Sequence, residues 1–428
     1  MGSPLRIVTT RIPIGFALAA AAIAAACAAA PASIELRGSA EINDQPAVAI
    51  RVLLRPDHRA YGDRFLAGAI QTIRTIDRTF GRFGLRDVVL VDQDWRGDED
   101  VPRGAVLMPA VRWWTTPTVM APELSAARAV SSQFWNGVLR SGRLPGWFRD
   151  SLAELMARRV SMALFASDNL TPGYGFSEAR YFGGFVPRFV RIRALVETDG
   201  AANDAYRARP GVDMAAEPQS DADRAAQIGK AILTFTTLER WLGEPTADDI
   251  VQRFVGELRD RALTLADFEQ LASDVSGQDL SWLFDSAFRS TGQFDYRIDR
   301  LASAREGEAY ATTVTVRRDG DAQFTGSSAR RDGDFERGRG VAVQVTFADG
   351  QQRIDYWDGR DRTRTFRYRG PSPVRSAIVD PQDLMLLDAR RTHNSAAAEP
   401  ATASASSLWA VRYALWVESL LLTWAGLV

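Results

Sequence analysis

Asp150 and Glu154, two carboxylates one helical turn apart, are the side chains in this chain best spaced to do chemistry. Residues four apart on a helix share a face, so the pair could serve as nonstandard metal ligands. Without an imidazole they make a poor zinc site, because zinc draws on His, Cys and carboxylate donors in tetrahedral array. Imidazole is scarce: His58 and His393 are the only histidines. Neither has a carboxylate together with a hydroxyl nucleophile beside it in the sequence, so a Ser-His-Asp hydrolase is not readable. Both are expected at the surface. Asp98-Glu99-Asp100 reads as a solvated loop that could bind a cation or an amine. Ser131, Ser132 and Ser151 read as small packing residues, and Phe134, Trp135 and Trp147 as core.

The elements that carry these residues follow from periodicity. Residues 47–55 read as a strand, and Asp63 can cap a helix whose Phe65, Ile70, Ile73, Ile76 and Phe80 recur every three to four positions. Gly84 ends it, and Val88 to Val91 is a short buried strand. Helices are expected over 123–139 and 147–160, divided by the Gly- and Pro-bearing turn 141–146. Residues 161–222 read as irregular. Four further helices are expected over 224–242, 247–259, 265–275 and 280–288, with Thr264 and Asp267 forming a capping box. Near Asp295 the period changes from 3.6 to 2. Segments 310–316, 341–347, 353–357, 365–368 and 376–379 alternate, which predicts an antiparallel β-sandwich.

The 428 residues carry a formal net charge of −1, so nothing argues for nucleic acid as a partner. Positive charge is almost all Arg, with Lys230 the only lysine. Arg6, Arg11 and the short apolar run 12–26 predict a signal peptide. Two endings are open: a lipoprotein box at Ala24-Ala25-Ala26-Cys27, which would lipidate Cys27, or cleavage at Ala30-Pro31-Ala32. Cys27 is the only cysteine, so no internal disulfide can form. Residues 394–406 read as an Ala/Ser linker. Residues 407–428 are long enough for a bilayer crossing of about 20 residues and hold Trp409, Tyr413, Trp416 and Trp424, with Arg412 and Glu418 interrupting. The expected organisation is a signal peptide 1–32, a domain 33–294, a β-sandwich 295–393, the linker and a hydrophobic membrane-associated helix.

From Arg128 the sequence runs R-A-V-S-S-Q-F-W-N-G-V-L-R-S-G-R-L-P-G-W-F-R-D-S-L-A-E to Glu154. Its aromatic-Asn-Gly step, L-P-x-W and acid-x-x-A-E resemble the two active-site helices of the aminopeptidase N-like gluzincins, a family of zinc metallopeptidases. Three further runs are similar to that family: G-R-F-G-L-R-D-V-V-L-V, I-G-K-A-I-L-T-F-T-T-L-E-R-W-L-G, and L-T-L-A-D-F-E-Q-L-A-S-D-V-S-G-Q-D-L-S-W-L-F-D. V-D-P-Q-D-L-M-L-L-D resembles the end of its β-sandwich. The resemblance covers residues 50–395 and implies an α+β fold, thermolysin-like and mainly helical in its peptidase domain and followed by an antiparallel β-sandwich domain.

The same resemblance shows what is lost. The family's H-E-x-x-H positions fall on Arg128, Ala129, Val130, Ser131 and Ser132. Asp150 aligns with the third zinc ligand. Asp100 aligns with the Glu that grips a substrate's amino group, and Ile228 with the Tyr that stabilises the tetrahedral intermediate. Both imidazoles, the general base and the oxyanion donor are therefore missing. The resemblance implies no catalytic residue, no metal and no cofactor. Arg128, a permanent cation, is expected to pair with Asp150 where zinc would sit. The implied function is that of an exported, membrane-associated, non-catalytic homologue. Its former cleft, with Asp100, Arg128, Asp150 and Glu154, would bind peptide or a protein partner. Two alternatives stand beside it: a metallopeptidase or other hydrolase holding zinc through nonstandard ligands, and a structural subunit of an envelope membrane complex.

Overall fold

A computed structural model describes residues 34–42, 45–80, 83–92, 106–108, 121–139, 143–165, 200–258, 262–326, 331–332, 335–336, 340–399 and 410. The chain is α+β. It opens on a four-stranded sheet, β1 (Ile34–Ala40), β2 (Val48–Leu54), β3 (Asp87–Asp92) and β4 (Val106–Met108), in that spatial order. β1 runs antiparallel to β2, while β2, β3 and β4 are parallel. Val48, Ile50, Val52, Val88 and Leu90 face the main core, while Leu53, Val89 and Val91 form a small second cluster. That split is the period-2 alternation of a strand with both faces covered.

Helix α1 (Gly62–Phe80) buries Phe65, Ala69, Ile73, Ile76 and Phe80 against this sheet, the stripe that its sequence spacing demands. It then meets α2 (Ala121–Val138). A Cβ on Gly68 would lie 2.9 Å from the Glu123 backbone, so glycine is what permits this close crossing. Arg64 fixes the crossing through a fork onto Glu123, at 2.6 and 2.8 Å. α3 (Gly146–Phe165) packs on α2, and α4 (Gly200–Ala208) leads to α5 (Asp221–Leu242). Ser220 caps α5 by accepting the Asp223 N–H, and Gly243 ends it. α5 buries residues on nearly every side, from Ala226 to Leu242. A helix in that position loses the one-faced pattern of a surface helix.

α6 (Glu244–Leu258), α7 (Leu265–Ser276) and α8 (Ser281–Phe288) complete the helical half. The capping box at Thr264 is present in both directions: Thr264 N donates to Asp267 Oδ2 at 2.7 Å, and Asp267 N to Thr264 Oγ1 at 3.3 Å. Phe148 of α3 sits edge-on to Phe235 and Phe268, at 5.4 and 5.3 Å, tying α3, α5 and α7 together.

The second half consists of β5 (Tyr296–Glu306), β6 (Ala309–Arg318), β7 (Arg331–Asp332), β8 (Phe335–Glu336), β9 (Val341–Phe347), β10 (Gln352–Trp357), β11 (Thr363–Gly370), β12 (Val374–Val379) and β13 (Ser395–Ala397). One sheet has the order β11-β6-β5 and the other β10-β9-β12-β13, all antiparallel, with a two-stranded β7-β8 pair besides. One continuous apolar core links this half to the helices.

Several expectations need correction. Residues 161–222 are not irregular throughout: α3 continues to Phe165 and α4 occupies Gly200–Ala208. β1 and β5 had no signal, because their apolar residues are few; β5 reads R-I-D-R-L-A-S-A-R-E after Tyr296 and is mostly half-buried or exposed. β13 pairs with β12 beyond residue 393, so the sheet reaches into the segment expected as linker. The signal peptide, Cys27, Asp98-Glu99-Asp100 and, apart from Ala410, the segment 407–428 lie outside the described residues. Among the described residues no helix is long and apolar enough to cross a membrane.

Candidate functional site

The two helices that carry Arg128 and Asp150 do pack side by side, but Arg128 does not pair with Asp150. Its guanidinium forks onto Glu154, with Nε donating to Oε2 at 2.6 Å and Nη2 to Oε1 at 2.7 Å. The expected Arg128–Asp150 pair is therefore replaced by Arg128–Glu154, one turn further along α3. The planar five-donor fork of Arg matches both oxygens of one carboxylate, and a bidentate pair is stronger and better fixed than a single contact. The side chains are 37% and 20% exposed, so the bridge is half-buried.

Asp150 is left without a side-chain hydrogen bond among the described residues. Burial pushes its carboxyl above the usual range, opposed by the nearby guanidinium groups of Arg224 on α5 and Arg149. Ala129 is buried in the core, and Ser131 is buried with it. Ser132 is half-buried and accepts a weak 3.4 Å contact from Asn136 Nδ2. Ile228, half-buried, packs against the main core from α5. The structure thus gathers Arg128, Asp150 and Glu154 around the α2–α3 contact, while Ala129 and Ser131 are structural. Asp100 lies outside the described residues.

The donor set does not fit zinc. The α2 face offers a guanidinium and a serine hydroxyl, and neither is a zinc ligand of the kind such sites use. Glu154 is engaged by Arg128, and a dication there would face that fixed positive charge. Among the described residues no group of three or more His, Cys, Asp or Glu side chains is placed to hold a metal ion.

Lys230, two residues after Ile228 on α5, is fully buried. Its ammonium donates to Ser290 O at 3.0 Å and, more weakly, to Val212 O at 3.4 Å, joining two loops to α5. Burial lowers its pKa to about 8, partly opposed by Asp213. Its neighbour in sequence, Gly229, would place a Cβ 2.6 Å from Ala202 O, so α4 crosses α5 at that point.

Both histidines depart from the surface expectation. His58 is 4% exposed, and its Nδ1 lies 2.5 Å from Asp92 Oδ2. The pair joins the turn after β2 to the end of β3. Thirty-four residues separate the partners, and no local spacing in the sequence points to the pair. His393 meets the buried Asp295 through Nε2 at 2.7 Å, and Arg390 Nε donates to the same carboxylate at 2.8 Å. Next to them Asp388 is 1% exposed and accepts from Tyr296 N, Asn394 Nδ2 and Arg390 N. Burial outweighs those bonds and raises its pKa to about 6. This network fastens the start of the sandwich to its end.

No protein-family model and no curated protein sequence matches the chain. Among solved structures the chain is similar to an aminopeptidase A of Legionella pneumophila crystallised with aspartic acid, with a TM-score of 0.49 and 14% sequence identity over 83% of this chain. The match spans 38% of the length of that aminopeptidase.

Proposed function

We propose that this protein is a non-catalytic homologue of the zinc aminopeptidases, thermolysin-like in its helical half. In this reading it is exported and membrane-associated, and uses the cleft beside α2 and α3 to bind peptide or a protein partner. The observation that carries the reading is the Arg128–Glu154 fork. It joins the two helices that in the family are joined by metal, using a charge that opposes one. The motif resemblance supplies the ancestry, and the loss of ligands, base and oxyanion donor removes three separate contributions to peptide hydrolysis.

Asp150 is the side chain we assign to the ligand, being half-buried, without a side-chain hydrogen bond among the described residues and held above its ordinary pKa by burial. A carboxylate in that setting suits a peptide N–H or ammonium donor. A hydrolase built on Asp150 and Glu154 would first have to displace the Arg128 guanidinium from Glu154. The test is calorimetric titration of short peptides, with the peptide recovered and weighed by mass spectrometry. Binding without cleavage that weakens in Asp150→Asn supports the reading; release of amino acids from the peptide contradicts it. Membrane association is tested by fractionating Cys27→Ala protein with and without residues 407–428. A tail-intact protein found wholly in the soluble fraction would refute anchoring by the tail.

A further inference from the structure

The outer face of the three-stranded sheet β11-β6-β5 carries arginines that no described residue engages. Cross-strand partners share a face, and the register sets Arg300 of β5 opposite Thr315 of β6, and Thr315 opposite Thr365 of β11. The hydroxyls of Thr315 and Thr365 meet at 3.2 Å. Val314 and Val316, on either side of Thr315, are buried in the core, so the threonines mark the outward side. Alternation along β11 puts Arg367 and Arg369 on that side with Thr365. Arg300, Arg367 and Arg369 are exposed, and none has an ion pair or side-chain hydrogen bond among the described residues.

The acids beside them are mostly engaged. Asp299 and Asp319 pair with Arg297, and Asp319 pairs with Arg317 as well, while Glu306 stands at the turn end of β5. The centre of the face holds short side chains, Ala302 opposite Thr313 and then Thr315, so the guanidinium groups rise from its two edge strands. With strands about 4.8 Å apart and about 3.3 Å per residue, Arg300 and Arg369 are rooted about 10 Å apart across the sheet and about 13 Å apart along it. That spread suits a plane of separate anionic groups, one for each guanidinium, better than a single small anion. The course of the chain agrees. β13 packs beside β5, and residues 407–428, expected to associate with a membrane, begin ten residues after Ala397. An extended chain spans at most about 3.5 Å per residue, so that segment begins within about 35 Å of β13.

We propose that this face docks on the surface of an anionic lipid bilayer, with Arg300, Arg367 and Arg369 each engaging an anionic headgroup. This docking deepens the membrane association proposed above and rests on it. A basic residue at an anionic surface strengthens binding about five-fold, so three give about 100-fold.

The test is cosedimentation of full-length Cys27→Ala protein with vesicles of phosphatidylcholine alone and of equal parts phosphatidylcholine and phosphatidylglycerol. At low salt the expected preference for the anionic vesicles is about 100-fold, and high salt should abolish it. Arg300→Gln, Arg367→Gln and Arg369→Gln together should bring the preference to within about five-fold. Arg59→Gln, Arg74→Gln and Arg78→Gln together remove the same charge from exposed positions of the helical half and should leave the preference in place. Lysine at positions 300, 367 and 369 keeps the charge and should keep the preference, which guards against a misfolded glutamine variant. Binding to neutral vesicles reports the tail, and preference for anionic ones reports the face, so the two fail separately. Equal binding to both vesicles, no binding to either, loss of the preference in the lysine variant, or an equal loss in the two glutamine triples overturns the proposal. So does arginine-dependent binding of polyglutamate with no preference among vesicles, which would mark the partner as an acidic peptide.

Discussion

Removing Arg128 and Glu154 together should cost less than the sum of removing each, by about 1–2 kcal/mol, and Arg128 with Asp150 should show no such coupling. The size follows from where the fork sits. A fully exposed ion pair is worth roughly 0.2–1 kcal/mol, and breaking a buried one costs about 3–5 kcal/mol. The two side chains are 37% and 20% exposed, which places the bridge between these limits. Its two short bonds, 2.6 and 2.7 Å, favour the upper part of the range that half-burial leaves. The assay is urea unfolding of wild type, Arg128→Ala, Glu154→Ala, Asp150→Ala and the two double variants, at equal slope so that midpoints report stability. Asp150→Ala is expected to be additive with Arg128→Ala to within about 0.5 kcal/mol. Coupling of Arg128 to Asp150 as large as its coupling to Glu154 would refute the Arg128–Glu154 pairing.

Two further predictions concern pH. Asp388 has a folded pKa of about 6, above the ordinary carboxyl range, so the folded state binds the proton more tightly. Its contribution to stability is full below about pH 4 and is lost as pH rises through 6, by up to about 3 kcal/mol; Asp388→Asn should flatten that slope in pH-dependent urea unfolding. Lys230 runs the other way at the alkaline end. Its folded pKa of about 8 lies below the ordinary lysine value, so stability should rise between about pH 8 and 10.5, and Lys230→Met should remove the rise. Unchanged slopes in these variants would count against the assigned burial of each group.

Most of the helices and the sandwich strands could be read from the chain because their apolar periods are strong. α1 shows its stripe openly, the Thr264–Asp267 cap is local, and β9 alternates throughout. β1 and β5 escaped because strands with few buried residues carry little pattern. At the candidate site, the right helices could be named but not the right partner. Asp150 and Glu154 differ by a single turn on one face, and only the distance and angle between α2 and α3 decide which carboxylate the guanidinium reaches. His58 and Asp92 were hidden for a related reason: parallel strands bring together residues far apart in sequence, and no local spacing records the encounter. The pairing of Arg159 with Glu239 and Asp248, drawn from α3, α5 and α6, is equally silent in sequence.

In the proposed function an arginine–glutamate bridge takes the place of the family's zinc, and the protein binds peptide without cutting it. Elemental analysis of protein purified without chelator and then dialysed against excess zinc tests it most directly. Far less than one zinc per chain is expected, with no release of amino acids from peptides by the zinc-treated protein. One zinc per chain, lost in Asp150→Ala or Glu154→Ala and accompanied by chelator-sensitive peptide cleavage, would contradict it.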